Sequence, residues 1–247
     1  MTRYKLILEY DGGGFVGWQR QTNGLSLQEL LETAIQRFCG EEVTSFAAGR
    51  TDAGVHALGQ VVHFDLARSP APAPRVVRDA LNFHLRPHPI AVLRAEIAAD
   101  DFHARFSARQ RAYRYRILNR PAPLTLEAGR AWLIEKPLDL AAMEEAAALL
   151  VGRHDFSSFR AADCQAKSPE KTLERLALGK EGELVTIEAR ARSFLHHQVR
   201  NMVGSLKLVG EGKWRAADMR RALEARARQA AGPTAPPEGL YLVEVVY

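Results

Sequence analysis

Apolar positions recur along this chain with two periods, and each change of period marks a new element. Residues 4–10 alternate apolar and polar side chains and end in a glycine cluster, the pattern of a half-buried strand. From Ser26 the period lengthens to that of a helix. Leu27, Leu30, Leu31, Ala34, Ile35 and Phe38 fall on one face, Ser26 and Glu29 make a capping-box pattern, and Gly40 supplies the stop. Strands are predicted over 43–48 and 60–65, and a Pro/Ala-rich loop over 69–74. A helix over 75–85 is stopped by Pro87 and Pro89, and a short strand over 90–96 follows.

Residues 111–119 read as a further strand. Tyr113, Tyr115 and Ile117 face one side, and Ala112, Arg114, Arg116 and Leu118 the other. The aromatic face suits stacking on bases or burial in a core, and for Tyr115 the core is the favoured place. After a weakly patterned stretch, Asp139 can cap a helix through Val151, with Leu140, Met143, Ala147 and Leu150 inward. Strands follow at 173–178 and 184–192 around a turn at 179–182. Ser193 is placed to cap a long helix whose inner stripe is Leu195, Val199, Met202, Val203, Leu206 and Val209. His197, Arg200 and Asn201 lie opposite that stripe, near the helix start. A basic helix over 214–228, a Pro-rich loop over 232–238 and a strand over 240–246 complete the series. Residues 154–163 weakly echo 44–52, each after a helix and a glycine. The expected fold class is α+β: two similar halves, each a mixed or antiparallel sheet with helices packed on one face. The expected bounds are 1–119 for the first half, 120–138 for a connector and 139–247 for the second half.

Charge adds a partner class. The 247 residues carry a net charge of +5, and 27 of the 34 basic residues are Arg. Guanidinium pairs bidentately with phosphate and stacks on bases, so a polyanion fits, although a GC-rich genome would give the same bias. Cys39 and Cys164 have no metal-ligand spacing and suit a reducing compartment. No apolar run is long enough to span a bilayer, and the first residues run into a strand without a signal-peptide core, so the expected location is the cytoplasm and no membrane partner is expected.

The densest chemistry lies in Gly49-Arg50-Thr51-Asp52-Ala53-Gly54-Val55-His56-Ala57, between two strands, and the expectation is an exposed loop. A second glycine cluster, residues 12–17, formally matches G-x-G-x-x-G. A dinucleotide site needs a helix to open there, and Trp18 to Gly24 reads instead as a strand or irregular loop. There is no P-loop, C-x-x-C set or nucleophile elbow. His84 and His88 stand four apart, but Pro87 and Pro89 break the helix between them. His196 and His197 are adjacent and unsuited to share one site. No metal is expected, and the chemistry falls to carboxylate, tyrosine and arginine.

These residues resemble the TruA family of tRNA pseudouridine synthases. The resemblance rests on residues 49–56 and on further blocks in the family's order: 10–12, 17–21, 101–107, 113–115, 156–160, 194–204 and 238–242. It implies a pseudouridine-synthase fold with a central cleft, a homodimer, no cofactor, and isomerisation of uridine at positions 38, 39 and 40 of the tRNA anticodon arm. Position by position, it implies Asp52 as the catalytic aspartate and Arg200 as its guanidinium partner. Tyr113 would contact the target base, Leu240 would wall the pocket, and Arg50 would displace the target nucleotide or hold its backbone. Arg20, Arg105 and Arg160 are candidates for the RNA backbone, joined by Lys5, Arg215, Arg220, Arg221, Arg226 and Arg228. The carboxylate could attack C1′ covalently or remove the 2′ proton, and both routes stay open. Thr51 and His56 are expected to brace the loop. The other readings are a non-catalytic RNA-binding module and an RNA methyltransferase using the glycine cluster.

Overall fold

A computed structural model describes residues 1–162 and 164–247. Contacts divide it into two compact units, Met1–Arg109 with Tyr241–Tyr247, and Gln110–Leu240.

The first unit contains β1 (Thr2–Tyr10), α1 (Leu27–Cys39), β2 (Phe46–Ala47), β3 (His56–Leu66), α2 (Pro74–His84) and β4 (Ile90–Ile97). Its sheet runs β4-β1-β3, antiparallel throughout, with β2 antiparallel on β3. The later part of β10 (Leu240–Val246) adds a parallel strand to β3, Tyr241 opposite His56 and Leu242 opposite Ala57. Tyr4, Leu6, Leu8 and Tyr10 alternate into the core, as the period-two pattern requires. Helix α1 starts where Ser26 Oγ accepts the Glu29 N–H and ends at Gly40, φ 77°, where an L side chain would be strained. It buries Leu27, Leu30, Leu31, Ala34 and Ile35, each large side chain contributing about 1.5–3 kcal/mol.

Two strand bounds differ from expectation, for separate reasons. The strand expected over 43–48 shortens to β2 because Ser45 is tied to α1 instead. Its N–H and hydroxyl both donate to Glu32, at 2.8 and 3.0 Å. Strand β3 starts four residues before its expected residue 60, because β10, remote in sequence, supplies a partner for His56 and Ala57.

The second unit contains β5 (Gln110–Asn119), β6 (Trp132–Ile134), α3 (Leu140–Ala148), β7 (Gly152–Asp155), β8 (Glu170–Glu181), β9 (Leu184–Ala191), α4 (Gln198–Gly210) and α5 (Ala216–Glu224). Its sheet runs β5-β9-β8-β7, antiparallel, with β6 parallel on the end of β5. The α+β class holds, with a mixed sheet in each unit. Strand β9 alternates strictly between buried and half-buried, and Tyr115 and Ile117 of β5 are fully buried. Asp139 Oδ1 accepts from Ala142 N, so the expected cap opens α3.

The expected connector is part of this unit. Asn119 Nδ2 donates to the carbonyls of Ile134 and Lys136, Leu138 N donates to Asn119 Oδ1, and β6 joins the sheet. The division between units falls at 109/110, and β5 pairs with β9 from Arg111 to Leu118. The turn expected over 179–182 narrows to Gly182 (φ 59°) and Glu183. Ser193 does not cap α4. His197 takes φ 60° and breaks the helical run, while Gln198 Oε1 accepts from Leu195 N at 2.8 Å. The helix expected to reach residue 228 ends at Glu224, and Arg226 has φ 51°. Asp163, at the end of the stretch that echoes the first half, lies outside the described residues. Among the described residues, no helix is long and apolar enough to cross a membrane.

Loop 232–239 is clamped to α4 by close backbone approach. A Cβ on Gly204 would lie 1.7 Å from Pro233 O, and one on Gly232 would lie 2.8 Å from Ser205 Cα. Beside them, Asn201 Oδ1 accepts from Thr234 Oγ1 and Arg228 Nη2, and Ser205 Oγ accepts from Gly232 N. Gly204→Ala is therefore expected to destabilise the protein by about 1–3 kcal/mol through overpacking. A denaturant midpoint equal to wild type would show that the loop yields without cost.

In the first unit, His63 of β3 is buried, and its Nδ1 accepts from Ala104 N at 3.1 Å. Burial, followed by the charges of His103 and Arg3, lowers its pKa to about 4 from 6.5. The folded protein thus binds this proton less readily than the unfolded chain. Its contribution to stability is fully present above pH 6.5 and is lost as the pH falls towards 4. Unfolding midpoints should decline across that window, and less steeply in His63→Gln; equal slopes would remove His63 as the cause.

Candidate active site

The stretch 49–57 lies in the first unit and is only partly the exposed loop expected. Arg50 and Ala53 are exposed and Asp52 is half-buried, while Thr51, Val55, His56 and Ala57 are buried. The buried members are fastened from below. Thr51 Oγ1 and Tyr10 Oη are 2.8 Å apart, Gln60 Nε2 donates to Tyr10 Oη at 3.3 Å, and the same amide donates to Gly49 O at 2.7 Å. Burial pushes the Tyr10 phenol up to about 12, so it stays a neutral hydroxyl that can both donate and accept. His56 Nδ1 accepts from Gly12 N at 3.0 Å, lies 3.1 Å from Asp11 Oδ1, and its ring stacks on Tyr241 at 4.7 Å. Thr51 and His56 brace the loop, as expected. Gly54 turns it with φ 77°, whereas Gly49 contributes its carbonyl oxygen rather than a positive φ.

The glycine cluster over 12–17 is a packing surface for this loop. A Cβ on Gly12 would lie 2.1 Å from Val55 O, and one on Gly17 would lie 2.8 Å from Thr51 O. Trp18 N also donates to Thr51 O at 3.0 Å. No helix opens at the cluster; the next begins at Leu27. The dinucleotide match and the methyltransferase reading that used it lose their structural basis. Sequence inspection missed the roles of Tyr10, Gln60 and Gly12. The block at residues 10–12 was the available signal.

Tyr113, Arg200 and Leu240 lie in the second unit. Tyr113 is half-buried on β5, edge-on to Phe194 with centroids 5.2 Å apart. Arg200 stands in the first turn of α4, where the helix dipole disfavours a cation. Its Nε donates to Ala235 O at 2.8 Å, and Ala235 N donates back to Arg200 O at 3.1 Å. Tyr115 Oη donates to the next carbonyl, Pro236 O, at 2.7 Å, and burial followed by Glu238 holds that phenol well above its usual pKa. Gly239 lets the Tyr115 ring approach within 2.6 Å of where a Cβ would sit, and Leu240 follows, buried. One loop thus fixes both the Arg200 side chain and the start of β10.

The backbone candidates divide. Arg105 is exposed, and Arg160 is half-buried near Asp155. Arg20 is exposed and 3.4 Å from Glu32. Lys5 pairs with Glu96 at 2.7 Å and lies over the Phe102 and Tyr247 rings. Arg228 bonds to Asn201, Thr234 and the carbonyls of Ala231 and Gly232. Both thus have partners within the fold.

A family profile described as tRNA pseudouridine synthase matches residues 6–107 and 146–247. The chain belongs to the tRNA pseudouridine synthase family. It is 66% identical to a tRNA pseudouridine synthase A of Rhodospirillum centenum over 247 residues, the whole of both chains. It is 60% identical to the protein of that name from Rhodospirillum rubrum, over 99% of this chain and 87% of the relative, and 57% identical to that of Parvibaculum lavamentivorans over the whole of both. The two matched stretches carry Asp52 and Arg200 respectively, whereas Tyr113 lies between them. Family membership makes the protein an isomerase of the tRNA-modifying class.

The packing of Gly12 under Val55 gives a direct test of loop positioning. Gly12→Ala should lower kcat at least about tenfold, because an ångström of misplacement at a reacting group is costly, while tRNA affinity changes little. Wild-type kcat in that variant would mean the cluster does not set the loop.

Proposed function

We propose that the protein isomerises uridine to pseudouridine in the tRNA anticodon arm, at positions 38, 39 and 40, with Asp52 as the catalytic carboxylate. The support is the family match over both stretches, joined to the signature of residues 49–56, whose acid is half-buried on a loop fastened from below. The reaction breaks the C1′–N1 bond, turns the base and joins C1′ to C5. The C5 proton leaves and N1 gains one, so nothing is consumed and no cofactor is required.

Each residue receives a role on this reading. The target base must leave its stack, at a cost of a few kcal/mol, and needs a pocket with aromatic and apolar walls. Tyr113 and Leu240 supply those walls. Arg50, exposed beside the acid, holds the backbone or fills the vacated space. Asp52 acts at the ribose in its ionised form, by attack on C1′ or by removal of the 2′ proton. Arg200 partners it, since a guanidinium favours the ionised carboxylate and fixes its orientation. Arg20, Arg105 and Arg160 add phosphate contacts whose strength falls with salt. The protein works as a homodimer, which gel filtration tests directly.

Asp52→Asn keeps the shape of the side chain and removes the charge. With unmodified tRNA tritiated at uracil C5, it should reduce tritium release by roughly 10⁴-fold or more while tRNA binding persists. Release at the wild-type rate would remove Asp52 from the chemistry. Absence of release by the wild-type protein would remove the isomerase reading.

A further inference from the structure

The first unit carries an aromatic cluster that the proposed catalytic roles leave unused. Phe46 of β2 stacks on His63 at 5.1 Å, His103 lies edge-on to His63 at 4.6 Å and tilted against Phe46 at 5.5 Å, and Phe106 lies 4.4 Å from His103. The outer members are exposed, Phe46 to 46% and Phe106 to 71%. The Arg105 guanidinium lies 5.6 Å from the Phe106 ring centre.

The turn that presents Phe106 is tightly built. Ala104 is fully buried; its N–H donates to His63 Nδ1 and its carbonyl accepts from Tyr247 Oη at 2.8 Å. His103 Nδ1 accepts from Arg105 N, His103 N donates to Ser107 Oγ, and Ser107 N donates to His103 O. Arg3 donates to the carbonyls of Asp100 and Phe102. An exposed phenylalanine on so fixed a turn is not a floppy accident of the surface. Both imidazoles accept hydrogen bonds through Nδ1, and burial lowers both pKa values, which favours the neutral rings.

We propose that Phe46, His103 and Phe106, with Arg105, form a stacking platform for unpaired nucleobases of the substrate tRNA. This rests on the tRNA reading above and adds a subsite to it. Aromatic faces interleaved with arginine are the chemistry that holds unpaired bases and their phosphates. Position along the chain agrees: Phe46 precedes Arg50 by four residues and Asp52 by six, so the Phe46 backbone lies within about 20 Å of that of Asp52. A second copy is the less suitable occupant, since a two-fold interface would set this arginine-bearing patch against itself.

The test uses the full-length protein, unmodified tRNA and an RNA duplex without unpaired bases. Phe106→Ala should bind the tRNA at least about fivefold more weakly than wild type, with no loss on the duplex. Phe106→Leu should be equally weak, and Phe106→Trp should restore binding, its added fluorescence quenched by tRNA. Arg105→Ala should lower the salt slope by about one, whereas Phe106→Ala leaves it unchanged. Phe46→Ala should repeat the Phe106→Ala effect, with the melting temperature recorded because Phe46 also covers His63. Wild-type tRNA affinity in Phe106→Ala, or full affinity in Phe106→Leu, overturns the platform. So does a change of oligomeric state in either variant, which would mark a self-contact instead. Tritium release by wild type decides the isomerase reading separately, and the binding series decides the platform in either case.

Discussion

The buried contact between Tyr10 and Thr51, with Gln60 bonded to both Tyr10 and Gly49, is the constraint on which the position of the acid loop depends. It puts three polar groups in a core where an unpaired one would cost about 1–3 kcal/mol. Pairing of Tyr10, Thr51 and the Gln60 amide nitrogen offsets part of that cost, although Gln60 Oε1 is buried without a partner, and it makes the arrangement directional. The loop bearing Asp52 cannot slide without breaking a buried hydrogen bond. Apolar packing alone would allow more play, because dispersion has no preferred angle.

Backbone contact finishes what the hydrogen bonds begin. Gly12 and Gly17 bring the first connection against residues 51–55 more closely than any side chain would allow. The second unit solves the same problem with the same means. Gly204, Gly232 and Gly239 let loop 232–239 lie on α4 and Tyr115, and a polar hub of Asn201, Thr234 and Arg228 locks it. In both units a segment in or beside the candidate site residues is held by close glycine contact plus a polar hub.

The aromatic cluster around His63 has a different physical character. Its buried members are satisfied within the fold, but its outer rings are left in water by a rigid turn. The acid loop and this face begin on the same short strand, so positional information passes from the sheet to both.

Most elements were legible in the sequence, because amphipathic periods and caps are local. Ser26, Gly40 and Asp139 act where they stand, and the α+β class follows from the alternation of periods. The acid loop was legible as a signature, which made Asp52 a candidate, and the block at 194–204 made Arg200 one. The misplaced bounds have separate causes, none of them carried by the hydrophobic period. Ser45 prefers Glu32 of α1 to the sheet, His56 finds a partner in Tyr241, and His197 turns left-handed where a helix was expected. The purpose of the glycine cluster, the bracing by Tyr10 and Gln60, and the internal pairing of Lys5 and Arg228 also needed tertiary structure. Sequence period and cap chemistry fix what a segment can be, because they act over one or two turns. Which segment lies against which, and hence which polar groups are spent on structure and which remain for the nucleic acid, depends on partners tens to hundreds of residues away.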